Sequence, residues 1–159
     1  MNKKVSFDTH AIIDAVLSLE SLQYLWDKYR YHNLIISSKV QGEAINRLQK
    51  QPYNYSNDHA KGAVDEVIIY LNLSREFKEK IDEEKGKALI KKYEGSEANL
   101  HYPDSTIIAH MKRIGVDVVV CRDRNFKKVA EMEGLEVHYI PTQEAIIGRK
   151  VRRLYRGRR

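Results

Sequence analysis

Two aspartates in the segment from Tyr102 to Phe126 are spaced so that they could act together. Asp104 stands at the start of a helical apolar pattern, and Asp123 directly follows a short, β-branched run. In a right-handed crossover, the start of the helix and the end of the next strand both lie at the carboxyl ends of the parallel strands. This is the edge of such a sheet at which ligands bind. Two carboxylates there repel each other, and a divalent cation relieves the repulsion. Alternatively, Asp104 is only a favourable first-turn acid and Asp123 only a turn residue; this segment alone supports both interpretations equally.

Two further acids are predicted at the same edge. Asp8 directly follows a predicted first strand, and Glu43 falls in the first turns of the helix after a second strand. Each acid alone is uninformative, but four from four separate segments are harder to attribute to helix capping. An oxygen-only donor set without matching His or Cys suits Mg²⁺ or Mn²⁺ rather than zinc. Such sites perform phosphoryl-transfer chemistry with one or two metal ions.

The elements that must position these acids alternate between strand and helix, with no hairpin signal. This alternation predicts an α/β fold: a three-layer α/β/α sandwich with a mostly parallel central sheet of four or five strands. A fifth strand is expected at the sheet edge, hidden near the middle helices. The predicted strands are Lys4–Phe7, Leu34–Ile36, Val116–Val120 and Leu135–Ile140. The predicted helices run from about Thr9 to Leu19, Ser21 to Tyr31, Ser38 to Leu48, Asn57 to Leu73, Ser74 to Tyr93, Asp104 to Ile114 and Asn125 to Glu133, with a short last one from Thr142.

Length and composition favour one globular domain over residues 1–148, in which residues 50–100 form an enlarged helical region. The chain has 159 residues, 42% apolar and 31% charged, and no apolar run long enough to span a bilayer. The beginning, MNKKVSFD, lacks the apolar region of a secretory signal. The single cysteine, Cys121, excludes an intramolecular disulfide and a cysteine-based zinc site. A reducing, cytoplasmic setting is the simplest expectation.

The excess positive charge is concentrated in residues 149–159. The net charge is +6, and this tail contains seven basic residues and no acid, which leaves 21 basic and 22 acidic residues before it. A basic tail favours a polyanion such as nucleic acid, and the alternative is a solvated end that keeps the protein soluble. The seven residues are Arg149, Lys150, Arg152, Arg153, Arg156, Arg158 and Arg159.

Several other residues carry weaker expectations. His10 and Tyr102 are close to the acids, but packing roles are expected for both, and Asp14 is expected to be a surface acid. In the middle region, the helix from Asn57 has one strong apolar stripe and should pack on the body. The helix from Ser74 has a thin stripe and should lie mainly in solvent or against a partner.

The order Asp8, Glu43, Asp104, Asp123 resembles that of the PIN-domain nuclease family. FDTHAII resembles the family's first-strand motif, and ISSKVQGEAINRL resembles its strand–serine–helix–glutamate motif. PDSTIIAHMKRIGVDVVVCRDRNF resembles its third and fourth motifs. The motifs are individually degenerate, so their order and spacing carry the resemblance, which covers nearly the whole chain and is weakest over residues 50–100.

Two residues depart from the family pattern. Cys121 stands where the family often has Thr or Ser, and Asn125 stands where it often has a second Asp. A thiol is a poor substitute for a hydroxyl that holds water or metal. An amide also removes one charge from a second metal site. The resemblance therefore implies a Mg²⁺ or Mn²⁺ site of one or two ions, without fixing the number.

The resemblance implies metal-dependent endonucleolytic cleavage of RNA phosphodiester bonds. Asp8, Asp104 and Asp123 would hold the metal, Glu43 would complete the site or orient water, and Arg122, Arg124 and the basic tail would contact the RNA backbone. The chain would be the toxin of a toxin–antitoxin pair. Its partners would be RNA, a small antitoxin protein and a second copy of the chain, with no membrane association.

Two other functions compete with this one. A non-catalytic RNA-binding or RNA-processing assembly protein could retain the fold, although the complete acid set argues against it. A phosphate-accepting receiver domain is also doubly wound with acids at the strand edge. It would require a Lys after the fifth strand, where this chain has Tyr139, Ile140 and Pro141.

Overall fold

The computed structural model describes residues 2–140, which fold around one parallel sheet of five strands. The strands are β1 (Lys4–Phe7), β2 (Asn33–Ser37), β3 (Ser74–Glu76), β4 (Val118–Cys121) and β5 (Glu136–Tyr139). Their order in the sheet is β3-β2-β1-β4-β5, so successive strands are added on one side of β1 up to β3 and on its other side from β4. This order confirms the predicted α/β fold and differs from the 2-1-3-4-5 order of receiver domains.

Helices cover both faces of the sheet, and they bury most of β1 and all of β4. All four residues of β4 are buried, as expected of a β-branched strand with no solvent-facing side. Within residues 2–140, no helix is long and apolar enough to cross a membrane. The helices are α1 (Thr9–Leu17), α2 (Leu19–Tyr29), α3 (Ser38–Leu48), α4 (Asn57–Leu71), α5 (Lys80–Lys92), α6 (Asp104–Arg113) and α7 (Arg124–Met132).

Side-chain caps fix where most helices begin. Asp8, Ser18, Ser37, Ser56 and Asp123 each accept a backbone N–H from the first turn of the helix that follows. The cap at Ser18 makes α2 begin two residues earlier than predicted. Two of the four candidate acids therefore have a structural role at the N-terminus of a helix. The predicted helix from Thr142 and the basic tail lie outside the described residues.

The prediction of a helix beginning at Ser74 is wrong. Ser74–Glu76 forms β3, which pairs with β2 at the sheet edge. Asn72 ends α4 in the left-handed conformation, with a φ of 53°. The chain then leaves in an extended conformation, so its backbone groups can satisfy the otherwise open edge of β2. This short strand is the hidden fifth strand that the alternation predicted.

The exposed character predicted for the next helix is found only in part, because α5 is also held to the body by two features that its apolar pattern does not show. Phe77, which precedes α5, and Ile81 are exposed, whereas Leu89 and Ile90 pack against the core. On the other face, the fully buried Asp82 accepts hydrogen bonds from the Arg113 guanidinium of α6 at 2.8 and 3.0 Å. Gly86 lies directly against the backbone at Thr106. An ion pair and a close backbone approach therefore add to the contacts of a thin apolar stripe.

Gly86→Ala is expected to destabilise the protein by about 1–3 kcal/mol, because the added methyl group would force α5 and α6 apart. A Cβ at position 86 would lie 3.0 Å from the Thr106 backbone nitrogen, which cannot move aside as a side chain can. Gly62→Ala is the matched control, since a Cβ there meets nothing within 4 Å on an exposed face of α4. That control should gain up to about 1 kcal/mol from helix propensity. Urea unfolding of both variants measures the difference, and equal free energies of unfolding would contradict the close approach.

Candidate metal-binding and catalytic site

Asp8 occupies the junction between β1 and α1 at the carboxyl edge of the sheet. Its side chain is only 2% exposed. One carboxylate oxygen accepts the backbone N–H of Ala11 at 2.8 Å, and the other accepts the backbone N–H of Arg122 at 3.3 Å. These bonds fix the carboxylate beside the end of β4, and each oxygen retains a lone pair for a further ligand.

Asp123 and Asp104 reach the same edge from β4 and α6. Asp123 caps α7, since its Oδ1 accepts the backbone N–H groups of Asn125 at 2.8 Å and Phe126 at 3.2 Å. Asp104 is the first residue of α6, and Pro103 at the N-cap makes no side-chain cap. The Asp104 carboxylate therefore lies at the positive end of the helix dipole, where negative charge is favoured.

Glu43 enters the site from α3 through a chain of contacts that spans three helices. Its Oε1 accepts hydrogen bonds from Arg47, with Nε at 3.1 Å and Nη2 at 3.0 Å. Arg47 Nη1 lies 3.1 Å from His10 Nε2, which in turn lies 3.6 Å from Asp123 Oδ2. The chain Glu43–Arg47–His10 therefore links α3 to α1, and it places the His10 ring next to Asp123 at the start of α7.

The electrostatics of Asp8 and Asp104 show that the acids share one environment. Burial raises the pKa of Asp8 to about 7, against the lowering effect of its backbone N–H partners, and the charge of Asp104 raises it further. Burial also raises the pKa of Asp104 to about 7, and the charges of Asp123 and Glu43 add to the rise. The pKa of Asp104 therefore responds to the charges of Asp123 and Glu43, and the pKa of Asp8 responds to the charge of Asp104.

His10 is an uncharged member of the group. Burial and the neighbouring Arg47 guanidinium lower the pKa of His10. An unprotonated Nε2 can accept the Arg47 N–H, which agrees with their 3.1 Å separation. The His10 ring thus makes a structural contact between α1 and α3, and its packing role stays a prediction from the sequence.

The donor chemistry of the site fits a hard divalent cation. All four acids offer oxygen, and Glu43 Oε2 is buried with no hydrogen-bond partner. Among residues 2–140, no three His, Cys, Asp or Glu side chains lie close enough together to coordinate one ion as placed. An ion would thus be held by Asp8, Asp104, Asp123 and Glu43 only after side-chain adjustment, which the unpartnered oxygen of Glu43 permits.

Arg122 and Arg124 differ in how available they are to a phosphate. Arg122 forms an ion pair with Asp14, whose side chain is only 15% exposed, so Asp14 is not the surface acid that was expected. Arg124 is exposed at the start of α7 and lines a cavity with Lys127 and Lys128. Arg124 therefore has the freer charge, while the basic residues of the tail lie outside the described part of the chain.

The two departures from the family pattern do not place a new ligand in the site. Cys121 is fully buried at the end of β4, and burial raises the pKa of its thiol, so the sulfur stays protonated. The Asn125 side-chain amide donates to the backbone oxygen of Asn99. The Asn125 amide thus links α7 to the loop between α5 and α6.

Sequence reasoning missed Arg47 and misjudged Tyr102. The spacing of Glu43 and Arg47 by one helical turn is the signal that could have identified the pair. Tyr102 is 57% exposed, so the expected packing role is wrong. No periodic pattern covers the loop that contains Tyr102, which left its exposure unpredicted.

Comparison with known proteins identifies the family. The profile of the PIN domain matches residues 5–132, which include all four candidate acids. No curated protein matches the chain in sequence.

Several solved structures share the fold at low sequence identity. VapBC2 from Rickettsia felis, solved bound to a promoter DNA fragment, superposes with a TM-score of 0.63 and 14% identity, covering 87% of this chain and 99% of that one. FitAB, bound to a DNA fragment, gives 0.59 and 13%, covering 87% and 99%. VapC20 from Mycobacterium tuberculosis, described as a toxin that cleaves the sarcin–ricin loop, gives 0.57 and 17%, covering 79% and 94%.

Proposed function

The chain belongs to the PIN-domain family, and from this membership we propose that it is a metal-dependent endoribonuclease that cleaves RNA phosphodiester bonds. The observation that carries the proposal is the convergence of Asp8, Glu43, Asp104 and Asp123 at one sheet edge from four separate segments. Burial and mutual repulsion raise the pKa of Asp8 and Asp104 to about 7. Retaining so many unfavourable carboxyl groups in one place is reasonable if they bind a cation.

Each residue of the site would have its own role in the reaction. Asp8, Asp104 and Asp123 would bind Mg²⁺ or Mn²⁺, and when bound the ion supplies charge stabilisation at the phosphate and an acidified water. Glu43 has an unpartnered oxygen that can accept a hydrogen bond from the attacking water. Arg47 holds the other oxygen of Glu43 and so fixes the orientation of this carboxylate.

We also propose that the chain is the toxin of a toxin–antitoxin pair, with a small antitoxin protein as partner. Support comes from the fold shared with VapC20, which is described as a toxin that cleaves the sarcin–ricin loop, and with VapBC2. A homodimer, a cytoplasmic location and RNA contacts by the basic tail remain predictions from the sequence.

Purified full-length protein should cut single-stranded RNA internally when Mn²⁺ or Mg²⁺ is present, because the carboxylates need the cation to act on a phosphodiester. A radiolabelled RNA of defined length, resolved on a denaturing gel, measures the cleavage. Addition of EDTA should stop the reaction, and excess Mn²⁺ should restore it. Binding of RNA without any cleavage in either metal would contradict the nuclease proposal and favour the non-catalytic alternative.

A further inference from the structure

A basic groove opens directly beside the candidate active site. It is a cavity of about 640 Å³ between α3, the chain just after β3 and the loop before α6. Its size lies in the range of pockets that enclose small organic groups. The groove, here called the α3 groove, is lined by Lys39, Glu43, Arg47, Lys50, Lys78 and Tyr102, among others. It thus shares Glu43 with the carboxylate site and ends next to Asp104.

The charge of the α3 groove is opposite to that of the carboxylate site. Its lining has four basic residues and one acid, Glu43, which is already paired with Arg47. Lys78 forms an ion pair with Glu83 at 3.0 Å, but both side chains stay about one-third exposed and can exchange partners. A concentration of positive charge beside a phosphodiester-cleaving site favours a ligand that carries several phosphates.

Tyr102 gives the groove an aromatic surface. Its ring is 57% exposed, and the Lys39 ammonium lies 4.2 Å from the ring centroid. The Lys39 ammonium also donates a hydrogen bond to the Tyr102 hydroxyl, so the lysine holds the ring in place. An exposed, positioned aromatic ring between cations is the arrangement on which unpaired bases stack in single-stranded nucleic acids.

We propose that the α3 groove binds a single-stranded segment of the RNA substrate, with one base stacked on Tyr102 and the flanking phosphates on Lys39, Lys50 and Lys78. The identity of the ligand as RNA rests on the proposed function. A base within a duplex is already stacked on its neighbours, so the ring cannot engage it. The groove therefore selects an unpaired loop or tail and places its backbone next to Asp104 and Glu43.

The decisive variant is Tyr102→Ala, tested in full-length protein that also carries Asp8→Asn to prevent cleavage. We expect it to weaken binding of a short, fluorescent single-stranded RNA about 10-fold, as loss of one base–aromatic stack does. Tyr102→Phe should stay within about two-fold, because the ring remains. Fluorescence anisotropy measures both, and the melting temperature should be nearly unchanged because the side chain is exposed.

Tyr31 provides a matched control. It is 72% exposed, and the Arg30 guanidinium lies 4.8 Å from its ring centroid, so its local environment resembles that of Tyr102. It precedes β2, however, and lies at the opposite edge of the sheet from the carboxylates. Tyr31→Ala should therefore bind the RNA as the parent does.

Replacing Lys39, Lys50 and Lys78 together with Ala should reduce the slope of log affinity against log salt by roughly 2.

The proposal is overturned if Tyr102→Ala binds as tightly as Tyr31→Ala, or if a duplex of the same sequence binds as tightly as the single strand. Cleavage is measured separately with Asp8 restored. Absence of metal-dependent cleavage together with a Tyr102-dependent loss of binding would contradict the nuclease function but support the groove. Normal cleavage with no effect of Tyr102→Ala on binding would support the nuclease function and contradict RNA binding in the α3 groove.

Discussion

Replacing Asp104 with asparagine is expected to reduce RNA cleavage by more than about 100-fold while leaving the fold intact. Substitutions of groups that only support a metal ligand typically cost 10- to 100-fold, so loss of a group inside the site should cost more. Asp104 makes no side-chain helix cap, and asparagine is nearly the same size. The loss would therefore report chemistry rather than folding.

Asp8→Asn should produce a comparable loss by the same reasoning. Its side chain caps α1 through the Ala11 N–H, but asparagine is an equally good N-cap, so the helix should keep its start. Initial rates on a defined single-stranded RNA, measured at saturating Mn²⁺ and with matched circular dichroism spectra, test both variants. Saturating metal is needed so that weaker metal binding alone does not account for the loss.

Asp65→Asn is the matched control for these two variants. Asp65 is a half-exposed acid on α4 that pairs with Arg75 at 3.1 Å, outside the carboxylate group. It should retain cleavage within about two-fold, since exposed ion pairs contribute little. If Asp104→Asn and Asp8→Asn cleave at the rate of Asp65→Asn, the four carboxylates are not the catalytic group.

The features predicted from sequence are those with a periodic or positional signal. The alternation of strand and helix patterns predicted the parallel sheet, and β4 was recognised because its apolar, β-branched run shows no polar alternation. The four acids could be placed at one edge because crossover connections have a fixed hand. For these elements, the structure favoured by the local sequence is the one that the overall topology requires.

The features that were missed depend on contacts between distant segments. β3 is only three residues long, too short for alternation to be visible, and it exists because it completes the edge of β2. The bond between Asp82 and Arg113 joins residues 31 positions apart, so no helical period reveals it. The contact of Arg47 with His10 and the groove around Tyr102 likewise arise only after α1, α3 and α6 are packed.

The free energy of unfolding of the metal-free protein should contain a contribution from Asp104 that falls as pH rises from about 4 to 7. The pKa of this carboxyl rises from the ordinary 3.8 to about 7 on folding. Below about pH 4 the group is protonated in both states and contributes no difference. Between these values the unfolded chain releases a proton that the folded chain keeps, so stability falls with rising pH.

Asp104→Asn should therefore raise the melting temperature of the metal-free protein by about 10 °C at pH 8 and change it little at pH 4. Comparison with wild type at each pH removes the contributions of groups common to both proteins. Differential scanning fluorimetry in EDTA measures the shift. An equal shift at both pH values would mean that the substitution acts through packing rather than through the charge of residue 104.

Addition of Mn²⁺ should reverse the ranking of the two proteins at pH 8. A ligand that binds only the folded state stabilises it by about 2.7 kcal/mol at 100 times its dissociation constant, and wild type should gain this stabilisation while Asp104→Asn gains much less. The gain of wild type should shrink at pH 5.5, because protons then compete with the metal for Asp8 and Asp104. No rise in melting temperature with Mn²⁺ at pH 8 would contradict metal binding by the carboxylates. A rise of the same size in Asp104→Asn would place the ion elsewhere. We therefore expect the empty wild-type site to destabilise the folded protein and the metal-filled site to stabilise it. This combination follows only if the four carboxylates are assembled to hold a cation.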